Sequence, residues 1–131
     1  MSDSRKQLIE KVNASFEQNQ PETFLDMCAE NVTWRMAGHD VQEGKASVRK
    51  FMASMGDMEP PKINIISIIS DGDRAACYGD MMLKDKDGSE AEFDYCDIYR
   101  FEGEKIVDLT SFMSKRGAQS SEAGSSDEQG G

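Results

Sequence analysis

The 131-residue sequence has few of the features that mark secreted, membrane-spanning or disulfide-bonded proteins. Its three cysteines, Cys28, Cys77 and Cys96, are widely spaced and form no C-x-x-C motif, which favours free thiols in a reducing compartment. The longest apolar stretch, residues 63–69, is far shorter than the roughly 20 residues that a membrane span needs. The first residues are polar, and no apolar signal-peptide core follows them. We therefore expect a cytoplasmic protein without a membrane partner.

Basic residues and histidine are also scarce. The chain has 15 Lys and Arg against 25 Asp and Glu, a formal net charge of −10, and nucleic-acid binding requires clustered cations instead. One histidine and three dispersed cysteines supply no zinc ligand set at a recognised spacing. No glycine-rich phosphate loop and no G-x-S-x-G nucleophile motif occurs. The sequence thus predicts no metal, no cofactor and no nucleic-acid partner.

The first half of the chain has the patterns of three helices and one short strand. A first helix is predicted from Ser4, because apolar residues recur every four positions after it. A second is predicted over about 21–31, with proline suited to its first turn. Alternation over 32–36 predicts a strand, and a loop over 37–44 leads to a third helix over about 45–55.

After Pro61 the apolar period changes from 3.6 to 2, which predicts strands separated by short Asp- and Gly-containing turns. Ile65 and Ile66 are adjacent apolar residues, so the alternation changes phase there, as a β-bulge would explain. The predicted strands cover residues 63–70, 74–84, 91–102 and 105–113.

The element order predicts an α+β fold, with three N-terminal helices packed on a curved, mostly antiparallel sheet that forms a cone around an internal cavity. This domain is expected to cover residues 1–116. Residues 117–131 contain no apolar residue except alanine and are rich in Ser, Gly and acidic residues, which predicts a disordered tail.

Three segments carry a family resemblance. They are AENVTWRM at 29–36, EGKASVRKF at 43–51, and DIYRF with the following Gly, Lys and Ile at 97–106. In this order they resemble the SnoaL-like branch of the nuclear-transport-factor-two-like superfamily, over about residues 7–113. The resemblance implies a cone-shaped cavity and, commonly, a homodimer formed on the outer sheet surface. It implies no single activity, because such folds include polyketide cyclases, ketosteroid isomerases, dehydratases, epoxide hydrolases and non-catalytic modules.

Asp97 is the leading candidate for a catalytic group. It shares one face of its predicted strand with Phe93, Tyr95, Tyr99 and Phe101. A carboxyl group in apolar surroundings has a raised pKa, so it can exchange a proton near neutral pH. The alternative is a structural pairing of Asp97 with an arginine or a backbone N–H. By resemblance, Asp97 aligns with an aspartate that points into the cavity of ketosteroid isomerases.

The chain departs from two of the enzyme classes that it resembles. The general-base aspartate of the isomerases would fall at about Arg35 or Met36, and their helix-one tyrosine at about Val12. Tyr95 and Ser111 stand where the epoxide hydrolases have an arginine and a second aspartate. The resemblance therefore does not imply either of these two reactions.

His39 is a second catalytic candidate, since a histidine can exchange protons at neutral pH, although a lone loop histidine is more commonly a solvated surface residue. The ligand, expected to be a small apolar or aromatic molecule, would contact aromatic side chains. The predicted ligand-binding residues are Trp34, Phe51, Tyr78, Tyr95, Tyr99 and Phe112.

Two functions remain open. The first is a cofactor-free cyclase, isomerase or dehydratase that uses Asp97 for proton transfer. The second is a non-catalytic module that binds a ligand or dimerises. The homodimer is expected from the resemblance and from the outward-facing positions Cys96 and Ile98.

Overall fold

The computed structural model describes residues 2–54, 59–84 and 87–116. Its helices are α1 (Ser2–Glu17), α2 (Pro21–Asp26) and α3 (Lys45–Ser54). Its strands are β1 (Cys28–Met36), β2 (Val41–Glu43), β3 (Lys62–Asp71), β4 (Arg74–Lys84), β5 (Glu90–Glu102) and β6 (Lys105–Lys115). The predicted tail 117–131 and the predicted last residue of the third helix, Met55, lie outside the described residues.

The strands form one six-stranded sheet in the order β2-β1-β6-β5-β4-β3. All neighbouring pairs are antiparallel except β1 and β6, which are parallel. The three helices pack on one face of this sheet. The predicted α+β class is confirmed, and the predicted helices and strands occur in the predicted order with one additional strand, β2.

The largest differences from the predicted boundaries lie on either side of the predicted strand 32–36. The second helix ends at Asp26, and β1 already begins at Cys28, because this segment pairs with Ile106 of β6. The loop predicted over 37–44 contains the short strand β2, which pairs back onto β1 after a turn. In both cases pairing with a distant or adjacent strand outweighs the local sequence pattern.

The predicted β-bulge in β3 is present. The pairing of β3 with β4 shifts register between Ile65 and Ser67, where Ile66 is the extra residue. Gly79 of β4 lies against this bulge, and a Cβ atom there would overlap the backbone carbonyl oxygen of Asn64. Glycine is therefore required for the close approach of the two strands.

The core lies between the helices and the sheet. Its largest fully buried side chains come from α1, α2, β5 and β6, and include Ile9, Phe24, Leu25, Tyr99, Phe101, Ile106 and Leu109. Part of the same space is not filled and forms a pocket, which core residues such as Trp34 help to line. No helix in the described part of the chain is long and apolar enough to cross a membrane.

Candidate functional site

The pocket has a volume of about 410 Å³ and opens between the helices and the inner face of the sheet. Its walls are largely apolar, with Met36, Met52, Met81 and Leu83 among the lining residues. Trp34 and Phe16 form an aromatic wall, with stacked rings whose centroids are 6.1 Å apart. Such a pocket suits a small ligand with an apolar body.

Asp97 lies in this pocket and is 9% exposed. Burial raises the pKa of its carboxyl group to about 6, and a hydrogen bond with the Ser111 hydroxyl partly opposes this shift. Among the described residues, no basic side chain is within ion-pair distance of Asp97. The structural alternative of an arginine partner therefore finds no support in this geometry, and the carboxyl group can exchange a proton near neutral pH.

A hydrogen-bonded chain connects Trp34, Ser111 and Asp97. Ser111 is the cross-strand partner of Asp97 in the pairing of β5 with β6. The indole Nε1 of Trp34 donates to Ser111 Oγ at 3.0 Å. Since Ser111 Oγ accepts from the indole, its own hydrogen is free to point at the Asp97 carboxylate. The chain thus orients the carboxyl group from within the pocket lining.

Helix α1 contributes two buried polar residues to the pocket. Asn13 Nδ2 donates to the Ile9 carbonyl oxygen at 2.9 Å and to Cys77 Sγ at 3.9 Å. Ser15 Oγ donates to the Val12 carbonyl oxygen at 2.6 Å. The hydrogen bonds that both side chains donate therefore go to atoms of the protein itself.

The groups that neighbour Asp97 on the sheet stay neutral near physiological pH. Cys77 is its partner across β4 and β5, and burial raises the pKa of this thiol to about 11. Its sulfur lies 3.7 Å from the Tyr95 hydroxyl, and burial raises the pKa of Tyr95 as well. Cys77 is thus a protonated thiol, which is a poor nucleophile.

An ion pair stands at the mouth of the pocket. Arg49 of α3 binds both carboxylate oxygens of Glu22 of α2, with Nε and Nη2 each 3.0 Å from an oxygen. Both side chains are exposed, and Glu59 is a further acidic residue of the lining. No group of three His, Cys, Asp or Glu residues in the described ranges could hold a metal ion.

The structure places the predicted site residues in three different environments. Asp97 and Trp34 line the pocket. Phe51 contacts Trp34 edge-on, with ring centroids 5.5 Å apart, and so supports the wall from behind. Tyr95 and Tyr99 are buried on the inner face and are not among the residues that line the pocket. Within the described residues the Tyr99 hydroxyl has no hydrogen-bond partner.

Three predicted residues are exposed and lie outside the pocket lining, and these assignments need correction. His39 is exposed in the turn between β1 and β2 and is not among the residues that line the pocket. Tyr78 and Phe112 are 40% and 42% exposed on the outer sheet face. Alternation dictates this, because their neighbours Cys77 and Ser111 point inward beside Asp97.

Sequence reasoning missed Asn13, Ser15 and Arg49 as pocket residues. Asn13 interrupts the apolar face of α1 directly after Val12, and this interruption was the available signal. Arg49 had no such signal, because its position depends on how α3 packs against α2. Ser111 stood out only as the position where epoxide hydrolases have an aspartate.

The sequence matches the model of one protein family over most of its length. The model of the SnoaL-like domain matches residues 9–109 of this chain. Among curated proteins, none matches the chain significantly in sequence.

Solved structures share the fold at low identity. An epoxide hydrolase/cyclase-like enzyme from pyran ring formation in the polyether salinomycin superposes with a TM-score of 0.77 at 21% identity, covering 86% of this chain and 92% of its own. A putative polyketide cyclase from Xanthomonas campestris pv. campestris gives 0.74 at 15%, covering 82% and 87%. A nuclear-transport-factor-two-like protein of unknown function from Cytophaga hutchinsonii gives 0.68 at 24%, covering 82% and 97%. At these identities the likeness establishes the fold.

Proposed function

The chain belongs to the SnoaL-like domain family, and from this premise we propose that it is a cofactor-free enzyme that transfers a proton within a small, largely apolar substrate. The reaction class is cyclisation, isomerisation or dehydration. Such steps need one group that can both take up and release a proton near neutral pH. We expect the enzyme in a reducing compartment such as the cytoplasm, where its three free cysteines would persist.

The observation that carries this proposal is the isolated carboxyl group of Asp97. It is buried, lacks a cationic partner among the described residues and has a pKa raised to about 6. An acid–base catalyst works best when its pKa lies near the working pH. In the proposed step, Asp97 accepts a proton from a substrate group and returns it to another atom of the same molecule.

The pocket shape supports a single bound molecule held for an internal reaction. Aromatic and methionine side chains surround the ligand space, and methionine adapts to irregular apolar bodies. An apolar wall also excludes water from the reacting atoms. Two of the structural neighbours are described as a putative polyketide cyclase and a cyclase-like enzyme, which is consistent with ring closure as the reaction.

The test is a turnover screen with a matched variant. Hydroxy-epoxides, unsaturated ketones and hydroxy-ketones with apolar bodies are incubated with the wild type, and products are followed by mass spectrometry and NMR. Asp97→Asn keeps the side-chain shape and should lower any turnover by about two to four orders of magnitude. Ser114→Ala, on an exposed position of β6, is the control and should leave turnover unchanged. Equal turnover by Asp97→Asn would refute the role of Asp97.

A second candidate is a non-catalytic module that binds a ligand or dimerises. The observation that favours it is the outer sheet face, which exposes Ile69, Tyr78, Ile98 and Phe112. A contiguous apolar patch of this kind is typical of an association surface. Turnover that depends on Asp97 separates the two candidates, because association alone predicts none.

A further inference from the structure

The hydrogen-bond donors in the buried part of the pocket are already used within the protein. Four buried lining residues carry donors: Asn13, Ser15, Trp34 and Ser111. The indole N–H of Trp34 is bound by Ser111, and the hydroxyl of Ser15 is bound by a backbone carbonyl. The Ser111 hydroxyl pairs with the Asp97 carboxylate. The Asn13 amide nitrogen has two protein acceptors, one oxygen and one sulfur.

The polar atoms of these lining residues that remain free to bind a ligand are hydrogen-bond acceptors. The Asn13 side chain has its amide oxygen left, because its nitrogen is occupied. Asp97, when ionised, has two acceptor oxygens and no donor. A ligand carbonyl or oxyanion placed here would lack a donor and would be desolvated without compensation, which is unfavourable.

The charged side chains of the lining also favour a ligand head group that donates hydrogen bonds or carries a positive charge. Its acidic side chains are Asp97, Glu22 and Glu59, and its one basic side chain within the described ranges is Arg49. Arg49 is bound to Glu22 through two hydrogen bonds, so its charge is already balanced. The uncompensated charge that faces a ligand is therefore negative.

We propose that the ligand of this pocket has an apolar body and a hydrogen-bond-donating head group, which binds Asp97. An ammonium group is preferred over a hydroxyl group, and carbonyl or carboxylate head groups are disfavoured. This inference uses the pocket of the proposed function and specifies its substrate class. For the reaction it means that Asp97 accepts a proton from a donor of the substrate and that the pocket does not stabilise an oxyanion.

The pH dependence of binding follows from the groups that face Asp97. These are Cys77 from β4, Tyr95 and Tyr99 from β5, Ser111 from β6 and Asn13 from α1, with Glu22, Arg49 and Glu59 at the mouth. The first five remain uncharged between pH 5 and 7.5, since burial raises the pKa of the thiol and of both phenols and the other two do not ionise. The charge at the pocket floor then changes through Asp97 alone.

The probes are four molecules that share a phenyl body and differ in the head group: 2-phenylethylamine, 2-phenylethanol, phenylacetone and phenylacetate. Binding to the full chain is measured by calorimetry at pH 7.5 and pH 5. At pH 7.5 we expect the amine to bind most tightly, the alcohol next, and the carboxylate at least about tenfold more weakly than the amine. At pH 5 most Asp97 is protonated and donates, so the amine should weaken by about tenfold and the ketone should tighten.

Asp97→Asn provides the matched variant, because its amide adds a donor and removes the charge. It should lose the preference for the amine, gain affinity for phenylacetone, and lose the pH dependence between pH 5 and 7.5. Ser114→Ala should behave as the wild type. The pH dependence of the wild type gives an independent readout if Asp97→Asn fails to fold.

The outcomes separate this inference from the proposed function. Tightest binding of phenylacetate, absence of amine binding at millimolar concentration, or a ligand order that Asp97→Asn leaves unchanged would overturn the inference. Amine-selective binding without any turnover would support the inference and contradict the enzymatic proposal. Turnover of a substrate that offers Asp97 only hydrogen-bond acceptors would support the enzymatic proposal and contradict the inference about the ligand.

Discussion

Burial of the Asp97 carboxyl group affects the stability of the fold as well as its chemistry. Its pKa is raised in the folded state, so the protonated form is favoured there relative to the unfolded chain. The stabilisation is fully present below the unfolded pKa of about 4 and is lost as the pH rises through about 6. The shift corresponds to at most about 3 kcal/mol.

We therefore expect Asp97→Asn to be at least as stable as the wild type at pH 7.5. Relative to this variant, the wild type should gain up to about 3 kcal/mol when the pH falls to 4, because only the wild type binds the extra proton on folding. Urea unfolding of both proteins at pH 4, 6 and 7.5 measures the difference in unfolding free energy. The contributions of the other titrating groups cancel, because both proteins contain them. A wild type that is relatively more stable at pH 7.5 would mean that Asp97 has a cationic partner.

The Ser111 hydroxyl positions Asp97 and accepts a hydrogen bond from the Trp34 indole, so its removal has two separate effects. Ser111→Ala should raise the pKa of Asp97 further, because the hydrogen bond that favours the carboxylate is lost. It should also destabilise the fold by about 1–3 kcal/mol, since the indole N–H is left unpaired in a buried place. Carboxyl NMR titration and urea unfolding measure the two effects. Ser114→Ala on the same strand should show neither, and an unchanged Asp97 titration in Ser111→Ala would contradict the proposed hydrogen-bonded chain.

Strand β3 depends on its bulge, and the bulge depends on Gly79 of the neighbouring strand. The backbone of Asn64 and Ile66 lies directly over Gly79, where a side chain has no room. The extra residue also reverses which side chains after the bulge lie on the inner face of the sheet. As a result, Ile63, Ile65 and Ile68 all point to the inner face. Bulges bend a strand and increase its twist.

Gly79→Ala should destabilise the protein by about 3 kcal/mol or more, because the added methyl group meets backbone atoms that cannot rotate away. Elsewhere in a strand the same exchange is usually favourable, since glycine weakens strands. Urea unfolding, with Ser67→Ala at the same bulge as the control, measures the effect. A Gly79→Ala protein of wild-type stability would show that the bulge relaxes freely.

The described part of the molecule presents two unlike sheet faces, an inner one that the helices cover and an outer one that exposes an apolar patch. Tyr78, Cys96 and Phe112 lie side by side across β4, β5 and β6, and Ile98 and Ile69 lie in the adjacent row. We propose that a second copy of the chain covers this face, as the family resemblance suggests. Burying such side chains would contribute favourable free energy in proportion to their apolar area.

Light scattering at micromolar concentration should then give twice the mass of one chain. Ile98→Glu places a charge in the centre of the outer face and should give a folded monomer, with circular dichroism unchanged. Val41→Glu, at an apolar residue of β2 that is 44% exposed, is the control and should stay dimeric. A wild-type monomer would refute the homodimer, and equal effects of both variants would place the contact elsewhere.

Most of the fold could be predicted from the sequence because its determinants are local. The change of apolar period after Pro61, and the Asp- and Gly-containing turns, marked all four long strands to within two residues. The adjacent Ile65 and Ile66 marked the bulge. Asp97 could be recognised as a pocket residue because its neighbours at every second position are aromatic, and alternation along a single strand requires no knowledge of the partner strand.

The rest of the site was decided by the tertiary structure. Trp34 and Ser111 are 77 residues apart and meet because β1 pairs with β6 in parallel, a register that neither segment encodes alone. The register of β4 and β6 against β5 turned Tyr78 and Phe112 outward, although both are aromatic. The alternation along β5 determined that Asp97 would lie on the covered face of the sheet. Which donors remain free to meet a ligand depends on the hydrogen bonds that the folded chain has already made, and those bonds exist only once helices and sheet are packed together.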